Sequence, residues 1–82
     1  MKYIMCSGGM TMGTFPVIFP EHVGHDTIAN AIKSTYPGIS VDSAGFCTLA
    51  GNVYGESVTL KLKALSEDAF WIRKTLDIPK GE

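Results

Sequence analysis

FPVIFPEHVGHD, residues 15–26, combines two prolines, a short apolar run and two histidines three residues apart. Proline cannot donate a backbone hydrogen bond, so Pro16 predicts an edge or irregular position in a strand, and Pro20 ends that strand. His25 or Asp26 then stands at the capping position of a segment with helical periodicity. The stretch therefore predicts a strand, a corner and the capped start of a helix.

The first half of the chain predicts a hairpin followed by a helix. Residues 2–7 and 14–19 have strand composition, and the glycine-rich segment between them is short enough for a hairpin loop. Residues 26–36 place apolar side chains at helical spacing, and Pro37 and Gly38 end the run.

The second half predicts two further strands and a helix. Residues 39–49 are extended, and Phe46 breaks their alternation, which indicates a bulge or bend near Ser43–Gly45. Residues 53–64 alternate as one strand, with one solvent-exposed face that carries Lys61 and Lys63.

A second helix is predicted from Ser66, as its N-cap, to about Leu76, and residues 77–82 form a tail. The order is then ββαββα in a single α+β domain spanning residues 1–82. We expect a four-stranded, mainly antiparallel sheet with both helices on one face, because this arrangement buries the apolar stripes economically.

Composition limits the classes of function. The 82 residues carry a net charge of −1, and the basic residues are scattered, which argues against strong nucleic-acid binding. No apolar stretch approaches the roughly 20 residues that cross a bilayer. The two cysteines do not form the dense framework of a small secreted protein, and no signal peptide is evident, so we expect a cytoplasmic protein with reduced thiols.

His22 and His25 invite a metal site, but zinc needs three or four ligands and the chain has no third histidine. A loop with a capping role explains the pair better, although His25 facing a partner stays open. The glycine-rich segment leads to a strand rather than to a helix, so it does not predict a phosphate loop. Cys6 and Cys47 sit in apolar strands and lack a base. We therefore expect no enzyme, no cofactor and no metal.

Aromatic and methionine side chains are the contact candidates. Trp71 lies just off the apolar stripe of the last helix, where it either closes the rim of a thin core or anchors an interface. Tyr54 beside Gly55 leaves the same two alternatives. Met10 and Met12 offer an adaptable contact surface.

Several short motifs together resemble a family of very small proteins found in phages and prophage regions of proteobacteria. They are P-V-x-F-P (Pro16–Pro20), His25 before a short helix, S-A-G-F (Ser43–Phe46), Y-G-x-S (Tyr54–Ser57), and an acidic pair with alanine opening the last helix. The resemblance covers most of the chain and implies a phage-related origin and a ββαββα-like fold. It implies no reaction, and residues 6–13 depart from the family's pattern.

These observations favour a non-enzymatic module that binds a protein of host or phage and that self-associates. The alternative is a small nucleic-acid-binding accessory protein that uses the Lys61/Lys63 strand face.

Overall fold

A four-stranded antiparallel sheet forms the centre of the molecule. The computed structural model describes residues 1–8 and 13–77. Along the chain the elements are β1 (Lys2–Gly8), β2 (Gly13–Phe19), α1 (His25–Thr35), β3 (Ile39–Cys47), β4 (Val53–Tyr54), β5 (Glu56–Ser57), β6 (Leu62–Lys63) and α2 (Asp68–Thr75). The sheet order is β2-β1-β3-β4, and β5 and β6 form a separate two-stranded hairpin. The predicted α+β class, the four-stranded antiparallel sheet and the two helices are confirmed.

The side chains of β1 alternate between two hydrophobic clusters, one on each face of the sheet. Ile4 and Cys6 pack in the cluster that includes Ala29 of α1. Tyr3 and Met5 pack in the cluster that includes Ile72 of α2. The helices therefore cover opposite faces, and the expected placement of both on one face is wrong. Because Tyr3 to Cys6 is a continuous apolar run, both faces of β1 require cover, as in a fully buried strand.

A bulge in β3 changes which of its side chains face each cluster: odd-numbered residues face α1 before the bulge and α2 after it. Met5 is paired with Ser43 and Cys6 with Val41, so Asp42 has no opposite residue in β1. The predicted irregularity is therefore present, one residue before the expected range. On one side of the bulge Val41 packs towards α1, and on the other Cys47 packs towards α2.

Residues 53–64 do not form the single strand expected from their alternation. Gly55 has φ +75°, and a Cβ there would lie 2.9 Å from the ring of Phe46, so the chain bends at this glycine. The Ser57 hydroxyl then accepts the Leu60 amide at 3.2 Å, which stabilises a turn before β6. Lys61 lies in that turn at φ +57°. The predicted Lys61/Lys63 strand face is therefore replaced by a hairpin turn and its returning strand.

Both helices lie close to their predicted ranges, but neither has a side-chain cap. Gly24 is the N-cap of α1 and Glu67 that of α2, and neither makes a side-chain capping hydrogen bond. The expected capping by His25 or Asp26, and by Ser66, is therefore wrong. His25 and Asp68, the first residues of the two helices, are instead buried in contact with the sheet.

Candidate functional site

Asp68 accepts three hydrogen bonds at the start of α2, two of them from the sheet. Its carboxylate accepts the Tyr3 hydroxyl at 2.5 Å, the Ser43 hydroxyl at 2.7 Å and the Leu65 amide at 3.0 Å. The residue is only 2% exposed. Burial, and then the hydrogen bond to Asp68, raise the pKa of the Tyr3 phenol well above its usual range. All three partners donate to one carboxylate oxygen, so the role of this cluster is to stabilise the fold.

His25 holds the start of α1 in a different way. Its Nε2 lies 2.9 Å from the Gly45 carbonyl oxygen, which can only accept, so Nε2 carries the hydrogen and donates it. The ring packs edge-on to Phe19 and Phe46, with centroids 5.5 and 5.7 Å away. His25 is 5% exposed.

The two histidines do not come together as a metal site. His22 is exposed in the corner before α1, whereas His25 is buried and its Nε2 is already bonded to Gly45. Across residues 1–8 and 13–77, no group of three or more histidine, cysteine or acidic side chains has the arrangement to hold a metal ion.

The two thiols are buried and free, on opposite faces of the sheet. Burial raises the pKa of Cys6 to about 11, with a further contribution from Asp42. Burial also raises the pKa of Cys47. Both thiols are therefore protonated near neutral pH, which disfavours nucleophilic chemistry.

Two of the exposed aromatic side chains pack against a second ring and define surfaces, while Tyr36 is exposed at the end of α1. The β4 aromatic surface is Tyr54, 51% exposed, stacked on Phe46 with centroids 5.6 Å apart. The α2 aromatic surface is Phe70, 63% exposed, edge-on to half-buried Trp71, with the Lys74 amine 5.6 Å from the Trp71 ring centroid.

The structure does not bring the two predicted anchors together. Tyr54 lies over Phe46, on the α1 side of the sheet, and Trp71 packs with the cluster on the α2 side. Tyr54 and His25 do lie close, with Phe46 between them. Met10, Met12 and residues 78–82 of the expected tail lie outside the described residues.

An open cleft lies between the β3 bulge and the β5–β6 hairpin. We call it the charged cleft, because its lining combines two acidic, two basic and four uncharged residues: Asp42, Glu56, Lys61, Lys63, Ser57, Val58, Leu62 and Leu65. The Asp42 carboxylate accepts the Ser7 hydroxyl at 2.6 Å and the Ser40 hydroxyl at 3.1 Å. Within the described part of the chain, none of the four charged groups forms an ion pair.

Sequence reasoning missed Asp68 and Phe70 as important residues. An acid in the first turn of a helix is favourable by itself, but Asp68 also stands three residues after Leu65, the spacing at which a carboxylate reaches back to an amide. Phe70 stands five residues after Leu65, where the two could pack across the start of the helix, but it is exposed. No local pattern distinguishes these outcomes, because they depend on which face of the sheet α2 covers.

Comparison with protein-family models, with curated proteins and with solved structures finds no match to this chain. Among the helices of the described residues, none has the length and apolar character required to span a bilayer.

Proposed function

We propose that this chain is a small interaction module that binds a partner protein through the α2 aromatic surface and that it also self-associates. The observation that carries the proposal is Phe70, which is 63% exposed although it is a large apolar side chain. Trp71 beside it supplies a partly buried, rigid ring. Aromatic side chains of this kind dominate the binding energy of protein interfaces.

The charges around this surface indicate the chemistry of the partner. Arg73 and Lys74 follow the two aromatic residues in α2, and both are exposed. Arg73 donates to the Asn52 side chain at 2.9 Å, so one of these cations is held in position. A partner with an apolar pocket and an acidic rim would complement the surface, since rim charges chiefly steer association and select partners.

Site-specific photocrosslinking tests the binding surface. A photoreactive residue at position 70 should crosslink to a discrete protein in the native host, and the same residue at position 36, on the exposed end of α1, should not. Phe70→Ser should abolish capture of that protein, whereas Tyr36→Ser removes an exposed aromatic ring elsewhere and should leave capture unchanged. Equal capture by both variants would refute the proposed surface.

The phage or prophage origin and the cytoplasmic location are parts of the same proposal. They are supported by the short motifs and by the cysteine content, respectively.

Nucleic-acid binding is the second candidate function. It is supported by Lys61 and Lys63, whose exposed side chains line one cleft without an ion pair in the described residues. Asp42 and Glu56 share that cleft and weaken its attraction for phosphate. Titration against single- and double-stranded oligonucleotides at low ionic strength tests it. Binding that weakens steeply with added salt and is lost on Lys61→Glu would support this function, and no binding would dismiss it.

A further inference from the structure

We propose that the charged cleft is the site where a second copy of this chain binds, in a two-fold symmetric contact. The inference builds on the self-association in the proposed function and assigns it to a surface separate from the α2 aromatic surface. Three features of the cleft carry it: its balanced charges, an exposed apolar side chain beside an apolar floor, and a strained lysine.

The balance of charge makes the cleft self-complementary. In a two-fold contact the same surface lies on both sides, so a surface of one sign repels itself. The charged cleft carries two acidic and two basic side chains, and rotation of one copy can place the lysines of each against the acids of the other. Glu56 and Lys63 are opposite each other in the hairpin register, yet within the described residues they form no ion pair. These charges are therefore available to another molecule.

The cleft also combines an apolar projection with an apolar floor. Val58, in the hairpin turn, is 80% exposed. Leu62 and Leu65 line the same cleft and are only partly covered. A two-fold contact would seat the Val58 side chain of each copy against the leucines of the other, which removes apolar surface from water on both sides.

Lys61 presents its side chain to the cleft from a turn position that other residues adopt more readily. It has φ +57°, in the left-handed region that glycine and asparagine adopt more readily than lysine. A turn shaped only for stability would favour one of those residues. Backbone strain of this kind concentrates at functional positions, and the exposed Lys61 ammonium is the group that the strained residue offers to the cleft.

Charge exchange between two variants tests the contact. Sedimentation equilibrium of the full chain, across about 10 µM to 1 mM, should show a monomer–dimer equilibrium, since a cleft lined by eight residues makes a small and therefore weak contact. Lys61→Glu and Glu56→Lys should each raise the dimer dissociation constant about tenfold or more, because each brings like charges together. An equimolar mixture of the two variants should restore association, because each variant's cleft then faces one of opposite net charge.

Lys33→Glu, the same charge change on α1, is the matched control and should leave the dissociation constant unchanged. Far-UV circular dichroism and urea unfolding should show that all variants fold. A wild-type chain that stays monomeric at 1 mM would overturn the inference, and would leave partner binding through Phe70 to be judged by its own crosslinking test. A dimer that Lys61→Glu and Glu56→Lys leave intact, but that Phe70→Ser dissociates, would overturn the cleft and keep the proposed function.

Discussion

The two helices are attached to opposite faces of one sheet, and each begins with a buried polar residue that bonds to β3. On the α1 face, His25 donates one hydrogen bond to the Gly45 carbonyl and packs between two aromatic rings. On the α2 face, Asp68 accepts hydrogen bonds from Tyr3, Ser43 and Leu65.

The two faces fix a short helix on the sheet in two different ways. A short helix is only marginally stable by itself, so its position must come from contacts with the sheet. The α1 face achieves this with a large apolar cluster and one hydrogen bond, from His25 to the Gly45 carbonyl. The α2 face has fewer apolar residues and relies on a carboxylate whose loss would leave two buried hydroxyls and the Leu65 amide without an acceptor.

The strongest way to break this comparison is Asp68→Ala. Two hydroxyls and one amide lose their acceptor, and we expect the free energy of unfolding to fall by about 3–5 kcal/mol. Urea denaturation followed by Trp71 fluorescence measures it. Glu67→Ala removes a neighbouring but exposed acid and should cost less than about 1 kcal/mol. Similar losses in the two variants would show that the buried cluster does not stabilise the α2 face.

The corresponding change on the other face is His25→Ala. It removes the hydrogen bond to Gly45 and the packing between Phe19 and Phe46, and we expect a loss of about 2–3 kcal/mol. His25→Phe keeps an aromatic ring in the space and should recover about half of that loss. A loss for His25→Ala that exceeds the loss for Asp68→Ala would reverse the ranking of the two faces.

The pH dependence of stability in alkaline solution also distinguishes the two faces, because each carries buried groups with raised pKa values. The folded state keeps protons on Cys6, Cys47 and Tyr3 at pH values where the unfolded chain has released them, because their pKa values are raised. The unfolded state then binds fewer protons than the folded state. The contribution of these groups to the free energy of unfolding is therefore fully present below about pH 8 and is lost as pH rises. Each group contributes a slope of up to about 1.4 kcal/mol per pH unit.

Urea titrations between pH 8 and 11, in reducing buffer, measure this slope. The Cys6 contribution, on the α1 face, should end near pH 11, while that of Tyr3, on the α2 face, should begin near pH 10. Tyr3→Phe should therefore flatten the dependence only above about pH 10. Stability that increases between pH 8 and 10 would contradict the protonated state of the buried thiols.

The smallest effect is expected within the Asp68 cluster itself. Tyr3→Phe and Ser43→Ala each remove one of three donors and leave the acceptor satisfied by the others, so each should cost about 1 kcal/mol. A double-mutant cycle reports whether the two bonds act together, since they share one carboxylate oxygen. A coupling energy near zero would mean that each hydroxyl stabilises α2 separately.

Much of the fold could be predicted from the sequence because its signals are local. The apolar spacing and the Pro37-Gly38 end of α1 placed that helix within about one residue, and the β1–β2 hairpin followed from its composition. The bulge was predicted because Phe46 contradicts strict alternation.

The errors concern information that is not local. Residues 53–64 alternate like a strand, but the chain bends at Gly55, which has φ +75° and lies against the ring of Phe46. The placement of both helices on one face overlooked the unbroken apolar run of β1. The sequence predicted single contact residues but not the charged cleft. Asp42 and the β5–β6 hairpin are far apart in the sequence, and only the fold brings them together.

Asp42, the residue of β3 without a partner in β1, changes which side chains of the strand face each side of the sheet. Ile39 and Val41 reach one cluster, and Ser43 and Cys47, also odd-numbered, the opposite side, because one extra residue stands between them. A chain that lacked Asp42 would pair with β1 without a bulge and keep both halves of β3 on their present faces, whereas loss of one residue elsewhere in β3 would turn one half of the strand over. Position 42 is thus the place in β3 where the pairing with β1 tolerates the loss of a single codon.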